Sequence, residues 1–253
     1  MRGNRVKAKL DAGDIAVVVS GHSNTSETID FCGPLGFDGF WFEGEHGPVT
    51  WERIGDLSRA CDLWDMSSLL RVHNHDAGVI TRALDCGASG LVIPHVNSKA
   101  EAEQVMKAAR YAPIGTRGIF TGRRGYGNPA YFQQANDDVL LVALIEEIQA
   151  IDQLDEILTV DNIDVFFIAP GDLAQTMGYI GQPEHPEVQA VINHSLSKIV
   201  QAGRTAGALG NESTLATYLE LGVRFFQANF NPWIVAGANA YLTRFAATRA
   251  DKG

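Results

Sequence analysis

Eight short runs of β-branched and aromatic residues, separated by longer segments of helical periodicity, constrain the fold of this chain most strongly. The alternation is typical of repeated βα units. Several runs are apolar throughout, as expected of parallel strands that are buried on both faces. The runs predicted to be strands are residues 15–20, 38–43, 68–72, 90–94, 139–145, 164–169, 205–210 and 224–229.

The segments between these runs place apolar residues three and four positions apart, which predicts amphipathic helices. Ser98 and Glu101 form an S-x-x-E capping box, and Thr50 is a further predicted N-cap. Gly203 and Gly222 stand where helices should end. The clearest helices are predicted at residues 50–64, 98–112 and 187–207.

Eight strands with intervening helices in 253 residues predict an α/β protein, a closed (β/α)₈ TIM barrel that spans residues 1–253 as a single domain. An open doubly wound sheet fits less well, because its dinucleotide-binding fingerprint is missing. The glycine-rich stretch at residues 122–127 follows no predicted strand and has the wrong spacing. No change in composition divides the chain.

The charge balance argues against nucleic acid and anionic membranes as partners. The chain has 20 Lys and Arg against 30 Asp and Glu, a formal net charge of -10, whereas both of those partners favour a basic surface. There is no signal-peptide pattern at the N-terminus, and no apolar run approaches the roughly 18 residues of a membrane span. We expect a cytoplasmic protein.

Residues 110–136 are too long for an ordinary connection between a helix and a strand. The segment carries four arginines and three tyrosines. We expect an ordered loop that lies over the barrel mouth or contacts another subunit.

Ionisable residues gather at the carboxyl ends of four predicted strands, where the catalytic groups of such barrels lie. Strand two ends at Glu43 and runs into a turn that contains His46. Strand three ends with Arg71. Strands five and six are followed by Glu146 and Asp172. We expect these side chains to face one mouth.

Glu146 and Asp172 are candidate ligands for a divalent metal ion. Two carboxylates from separate strands leave an octahedral ion about four positions for substrate and water. Mg²⁺, Mn²⁺ or Co²⁺ fits better than Zn²⁺, whose usual paired His or Cys ligands are missing. Alternatively, Glu146 caps the next helix and Asp172 is a helix N-cap.

His46 and Arg71 are the other candidates at this mouth. An imidazole is the commonest general base, although a lone histidine in a turn is more often a surface residue. The Arg71 guanidinium needs an anionic partner, which is either a bound carboxylate or enolate, or an ion pair with Glu43 or Asp85. His22 and His95 follow strands one and four and are expected at the same mouth. The histidines expected at the surface or at helix ends are His73, His75, His185 and His194.

The ordered set of motifs resembles the class II, metal-dependent pyruvate aldolases typified by 4-hydroxy-2-oxoheptanedioate aldolase and 2-dehydro-3-deoxyglucarate aldolase. The resemblance is carried by GFDGFWFEGEHGP, LLRV, TRALDCGASGLVIPHVNSKAEAE, LIEE and DVFFIAPGDLAQTMG in that order. It implies a homohexamer in which the C-terminal helix, at about residues 232–247, packs on a neighbouring subunit. It also implies a divalent metal cofactor.

The resemblance implies a role for each motif residue. His46 matches the catalytic base, Arg71 the residue that stabilises the enolate, and Asp85 the acid that pairs with the base. The implied metal ligands are Glu146 and Asp172, and the implied substrate contacts are Arg71, Asp172 and the backbone of Gly171. Three positions depart from the family pattern, where Asp, Gln and Gly are usual. They are Glu43, Leu144 and Ala169.

The implied reaction is reversible aldol addition between pyruvate, or a substituted pyruvate such as hydroxypyruvate, and an aldehyde through a metal-stabilised enolate. Decarboxylation of oxaloacetate at the same site is the alternative, and a non-catalytic barrel is a weaker one. A Schiff-base aldolase is disfavoured, because none of the six lysines lies within a predicted strand. The aldehyde is open: an anionic one could meet Arg117, Arg123 and Arg124, if these do not instead face solvent or another subunit.

Overall fold

The computed structural model describes residues 3–250 as a closed barrel of eight parallel strands in sequence order. The last strand returns to pair with the first over five residues. The predicted (β/α)₈ barrel is therefore confirmed, and each predicted strand end lies within one residue of the observed one. The strands are β1 (Ala16–Ser20), β2 (Gly39–Glu43), β3 (Ser67–Arg71), β4 (Gly90–Ile93), β5 (Leu140–Ile145), β6 (Val165–Ile168), β7 (Ala206–Leu209) and β8 (Phe225–Asn229).

Helices surround the barrel and cover one of its ends. They are α1 (Arg5–Asp11), α2 (Ser26–Cys32), α3 (Trp51–Leu63), α4 (Ala77–Asp85), α5 (Lys99–Ala109), α6 (Gly122–Gly125), α7 (Tyr131–Asp138), α8 (Ile148–Asp152), α9 (Leu154–Ile157), α10 (Pro170–Thr176), α11 (Pro186–Gln201), α12 (Leu215–Glu220) and α13 (Asn231–Ala250), with a 3₁₀ turn at Gly33–Leu35. No helix within the described residues is both long and apolar enough to cross a membrane.

Helix ends follow the predicted capping chemistry in part. Ser98 Oγ accepts the backbone N–H of Glu101 at 3.2 Å, although the Glu101 carboxylate reaches back to Asn97 rather than to Ser98. Thr50 stands at the N-cap of α3 but makes no side-chain capping bond. The helix predicted at residues 187–207 is shorter in the structure. It ends at Gln201, because Gly203 has a φ of +72° and the chain then enters β7.

Alternate residues of each strand point into the barrel, which is filled by apolar side chains. Val6 and Leu10 of α1 pack into the same cluster and close the end at which the strands begin. The rings of Trp41 and Phe167 lie 5.4 Å apart in this interior. Because one end is plugged, a ligand can approach the barrel interior only from the carboxyl ends of the strands.

The long segment at residues 110–136 lies at the amino ends of the strands and not over the mouth of its own barrel, while the alternative, a contact with another subunit, stays a prediction. Arg110 donates to the carbonyl oxygen of Val139, just before β5 begins. Arg123 contacts Asp62 near the end of α3 at 2.5 Å. Since α5 runs antiparallel to the strands, the chain leaves it at the amino ends and stays there until β5. The expectation of an ordered segment is confirmed by α6 and α7, but the expectation that it covers the mouth of its own barrel is wrong.

Candidate active site

A cavity of about 520 Å³ opens at the carboxyl ends of the strands. Trp41, Leu144, Phe167 and Leu209 supply its apolar surface. Polar side chains surround this surface in two groups of different character. Glu43, His46 and Arg71 line the side formed by β2 and β3, and Glu146 and Asp172 follow the ends of β5 and β6. Amide and hydroxyl groups line the side formed by β1 and β8, together with the imidazole of His22.

Arg71 joins the cavity to two carboxylates of the β2 turn. Its Nε lies 2.9 Å from Oε2 of Glu43, and its Nη1 lies 3.1 Å from Oε2 of Glu45. The predicted ion pair with Glu43 is therefore present, whereas the alternative pair with Asp85 is not formed. Two acidic partners hold the guanidinium in place, and it still lines the cavity.

The turn after β2 is fixed by Glu43. Its Oε1 accepts the backbone N–H groups of Glu45 at 2.9 Å and of His46 at 3.0 Å. The His46 imidazole lines the cavity and keeps 67% of its surface exposed, with Nε2 3.8 Å from Oε2 of Glu45. An accessible imidazole at the cavity rim can exchange protons with a bound molecule.

Glu146 is a buried carboxylate at the end of β5, with 1% of its surface exposed. Its Oε1 accepts the backbone N–H of His95 at 2.8 Å, whereas its Oε2 has no hydrogen-bond partner in the described part of the chain. Burial raises the pKa of Glu146, and the negative charge of Asp172 adds to that rise. The N-cap of the next helix is Glu147, so the alternative that Glu146 caps it is wrong.

The His95 ring lies between carboxylates, at the mouth as predicted. Nδ1 is 2.7 Å from Oε1 of Glu147, and Nε2 is 3.3 Å from Oε1 of Glu45. Burial lowers the pKa of His95, but the charges of Glu146, Glu147 and Glu45 outweigh this and the net shift is upward. Its backbone φ is +55°, in the left-handed region. His95 thus links the β2 turn to the end of β5.

Asp172 and Gly171 lie in the first turn of α10, directly after β6. The N-cap of this helix is Ala169, so the alternative that Asp172 is the N-cap is wrong. Gly171 is exposed and a Cβ placed on it would meet nothing within 4 Å. The start of α10 therefore offers open backbone next to a carboxylate.

The carboxylates fit a divalent metal ion by chemistry, since hard oxygen ligands suit Mg²⁺, Mn²⁺ and Co²⁺. No three His, Cys, Asp or Glu side chains among residues 3–250 converge as a metal site. The buried Oε2 of Glu146, without a hydrogen bond, is an atom whose burial a cation would offset. Asp172 is close enough to raise the pKa of Glu146. An ion held by these two residues would keep most of its coordination for other ligands.

Asp85 lies away from the mouth, at the end of α4. Its Oδ1 is 2.7 Å from Nη2 of Arg117, whose side chain is only 1% exposed. The pairing of Asp85 with His46 is therefore not formed within one chain. That role stays a prediction for the assembled protein.

Sequence reasoning missed the uncharged side of the cavity. The polar residues on this side are Ser20, Asn24, Gln227, Asn229 and Asn231. Their position is the one available signal, since β1 ends in Ser20 and β8 in Asn229, but an uncharged residue at a strand end does not by itself indicate a cavity. His22, which was expected at the mouth, does line the cavity.

The model of the family described as HpcH/HpaI aldolase/citrate lyase matches residues 19–236. The chain belongs to this family. The matched region includes every strand of the barrel except most of β1. The predicted resemblance to aldolases is confirmed, and the chain is an enzyme of the carbon–carbon lyase class.

Similar proteins cover nearly the whole chain. A hydroxypyruvate/pyruvate aldolase of Agrobacterium fabrum is 37% identical over 250 residues, which cover 97% of this chain and 90% of that one. A 4-hydroxy-2-oxo-heptane-1,7-dioate aldolase of Shigella sonnei is 34% identical, with 96% and 95% covered. The crystal structure of an HpcH/HpaI aldolase from Desulfitobacterium hafniense superposes with a TM-score of 0.84 at 26% identity, covering 96% of this chain and 95% of that one.

Proposed function

We propose that this chain catalyses reversible aldol addition and cleavage between pyruvate, or a substituted pyruvate such as hydroxypyruvate, and an aldehyde. One observation carries the proposal. His46 and Arg71 line one cavity, and the charge of Arg71 acts on the buried Glu146 carboxylate, one of whose oxygens has no hydrogen-bond partner among residues 3–250. The names of the similar aldolases from Agrobacterium fabrum and Shigella sonnei support the reaction class.

His46 acts as the general base in this proposal. It removes a proton from C3 of pyruvate, and the enolate carbon then attacks the carbonyl carbon of the aldehyde. The same imidazolium returns the proton to the new alkoxide oxygen, and cleavage follows these steps in reverse. The exposed imidazole at the cavity rim suits this exchange, since the hydrogen bond from its backbone to Glu43 fixes the turn that carries it.

Arg71 and the start of α10 hold the oxo acid. Glu43 and Glu45 fix the guanidinium, which supplies positive charge beside the oxygen that becomes negative. The open backbone at Gly171 is the proposed contact for the carboxylate of the substrate. Asp172 is the proposed polar partner beside it.

Glu146 and Asp172 are the proposed ligands of a divalent ion, Mg²⁺, Mn²⁺ or Co²⁺. When bound, such an ion supplies electrophilic stabilisation of the negative charge on the oxo acid. The Schiff-base alternative has little support from the geometry. The lysines within the described residues all lie on helices and none lines the cavity. They are Lys7, Lys9, Lys99, Lys107 and Lys198.

The first test is exchange of the C3 protons of pyruvate in D₂O, followed by NMR, which needs no aldehyde. We expect exchange to disappear after treatment with EDTA and to return with Mg²⁺, Mn²⁺ or Co²⁺. Glu146→Gln and Asp172→Asn should abolish it. Asp161→Asn, which changes a carboxylate of an exposed ion pair with Arg204, is the matched control. Exchange that persists after EDTA treatment, or trapping of pyruvate by borohydride, would exclude the metal-dependent mechanism.

Decarboxylation of oxaloacetate forms the same enolate and is the alternative reaction. Turnover on oxaloacetate and cleavage of 4-hydroxy-2-oxo acids are compared on one preparation. We expect the cleavage to have the higher kcat/KM. The reverse order would make decarboxylation the main activity.

We also propose that the protein assembles as a homohexamer through its C-terminal helix. The apolar side chains of α13 are exposed in the single chain: Trp233, Ile234, Val235, Tyr241, Leu242 and Phe245. Exposed apolar surface of this extent on one helix is typical of a contact with another protein. A neighbouring subunit would also be the source of an Asp85 carboxylate for His46.

A further inference from the structure

Apart from the imidazole of His22, the polar groups on the side of the cavity formed by β1 and β8 are amides and hydroxyls. Ser20 and Asn229 are paired in register on the two neighbouring strands. Gln227 lies two residues before Asn229 on β8, so their side chains share the inner face. The residues that form this surface, here called the amide wall, are Ser20, Gln227, Asn229 and Asn231.

Hydrogen bonds fix the orientation of the amides. Asn229 Oδ1 accepts the backbone N–H of Asn231 at 2.9 Å, and Asn231 Oδ1 accepts the backbone N–H of His22 at 3.1 Å. Since a backbone N–H requires an oxygen, the amide nitrogens of both asparagines remain to donate to a ligand. The amide nitrogen of Gln227 donates to Ser20, which leaves its carbonyl oxygen to accept.

A surface with both donors and acceptors matches hydroxyl groups, which have both functions. A carboxylate is different, because it only accepts hydrogen bonds and meets repulsion from a carbonyl oxygen. The amide wall therefore fits a hydroxylated ligand better than an anionic one.

The charge around the cavity also disfavours a second anion. Arg71 lines the cavity, and its guanidinium already contacts both Glu43 and Glu45. Within the described chain no lysine and no other arginine lines this cavity. A bound carboxylate far from Arg71 would lose water without gaining a guanidinium or ammonium group of this chain, which is costly. The imidazoles of His22 and His46 are the remaining titratable nitrogen groups that the described residues bring to the cavity. The proposed contacts at Gly171 and Arg71 are taken by the carboxylate and the oxo oxygen of pyruvate, and a second carboxylate has no such place.

The arginines of residues 110–136 do not serve the cavity of their own chain. Arg117 pairs with Asp85, and both Arg123 and Arg124 contact Asp62. These contacts lie at the amino ends of the strands, so the expectation that these arginines receive an anionic aldehyde finds no support within one chain.

We infer that the aldehyde acceptor of this enzyme is a short, neutral hydroxyaldehyde whose hydroxyl groups bind the amide wall, and not an anionic semialdehyde. The inference rests on the proposed aldol reaction and specifies its second substrate. Residues Gln227 and Asn229 are then determinants of acceptor specificity.

The test offers three aldehydes with pyruvate to the wild-type protein: glyceraldehyde, propanal and succinate semialdehyde. Glyceraldehyde differs from propanal in its hydroxyl groups and from succinate semialdehyde in charge. We expect kcat/KM for glyceraldehyde to exceed both others by about tenfold or more, because the site loses hydrogen bonds with either rival. An equal or higher value for succinate semialdehyde overturns the inference.

Two substitutions change the wall in defined ways. Asn229→Asp keeps the oxygen that binds the Asn231 N–H and replaces the amide donor with a charged acceptor, so glyceraldehyde should lose about tenfold in kcat/KM relative to propanal. Gln227→Lys adds a cation and should raise the ratio of succinate semialdehyde to glyceraldehyde by about tenfold. Gln201→Glu and Gln201→Lys, at an exposed amide at the end of α11, are the matched controls. Ratios that do not move in either wall variant contradict the inference.

Exchange of pyruvate C3 protons in D₂O separates the two levels of failure. If the protein exchanges these protons but prefers succinate semialdehyde or propanal, the inference of a hydroxyaldehyde acceptor is wrong and the proposed aldol reaction is not contradicted. No exchange in the wild-type protein with metal present overturns the proposed function and the acceptor with it. Each variant is also checked for exchange, which reports a folded protein that still activates pyruvate.

Discussion

The backbone N–H of His95 donates to Oε1 of Glu146 at 2.8 Å and thereby decides which oxygen of this carboxylate is left for a ligand. The other oxygen, Oε2, is buried without a hydrogen bond in the described chain. A carboxylate held at one oxygen and open at the other presents a single coordinating atom in a fixed direction. The metal proposal depends on this arrangement, together with Asp172 in the first turn of α10.

Glu146→Gln should weaken the binding of Mn²⁺. The amide keeps its oxygen for the His95 N–H and turns an NH₂ group, which does not coordinate a cation, toward the ion. Because partners outside the coordination shell are worth about 10- to 100-fold in metal affinity, loss of a ligand should cost at least tenfold. Titration of Mn²⁺ followed by electron paramagnetic resonance measures this. Unchanged affinity in Glu146→Gln, with Asp161→Asn as reference, would remove Glu146 from the site.

His95→Gly and His95→Ala should differ in stability in favour of glycine. Both remove the imidazole and keep the backbone N–H, but only glycine adopts the φ of +55° without a steric penalty. We expect the free energy of unfolding of the glycine variant to exceed that of the alanine variant by about 1 kcal/mol. Denaturant melts of the two variants, compared with each other, provide the measurement. If the alanine variant is equally stable, the left-handed backbone at His95 is not strained.

The fold could be predicted from the sequence because parallel strands buried on both faces are apolar throughout. The run VLLVALI, for example, became β5 with a start one residue later. The ionisable part of the mouth followed from the rule that functional groups stand at carboxyl ends of strands, which located Glu43, Arg71 and Glu146. Each of these residues carries a charge that an apolar strand does not need.

Two features escaped prediction for physical reasons. Gln227 and Asn229 are uncharged, and an amide in a strand carries no local signal that distinguishes a cavity wall from a solvent-facing edge. The end of the barrel at which residues 110–136 lie could not be predicted, because the arginines and tyrosines of this segment indicate only that it is ordered. Its location depends on long-range contacts such as Arg123 with Asp62, which no local pattern encodes.

Asp85→Asn should destabilise the protein through Arg117. The Arg117 guanidinium is almost fully buried, stacks over the Tyr111 ring at 4.6 Å and pairs with Asp85. Removing the charge of Asp85 leaves a buried cation without its partner, and since Asp85 is partly exposed we expect a loss of about 2 kcal/mol. Equilibrium unfolding in urea measures it.

The Arg117→Met variant completes a double-mutant cycle. The two substitutions together should cost less than the sum of the single effects, by about 1 kcal/mol or more. The exposed pair Arg204 and Asp161 is the control, and its coupling should stay below about 1 kcal/mol. Additive effects at Asp85 and Arg117 would show that the buried ion pair does not stabilise the fold.

Leu242→Asp should break the proposed hexamer. Leu242 is 60% exposed on α13, so most of its apolar side chain is left uncovered by the described residues. A carboxylate there would be buried unpaired in any interface that covers this helix, at a cost that exceeds the margin of most assemblies. Light scattering after size exclusion should give six chains for the wild-type protein and fewer for Leu242→Asp. Asn239→Asp adds the same charge at a polar position of α13 and should keep the mass. A wild-type mass of one chain, or equal masses in both variants, would exclude α13 as the assembly contact.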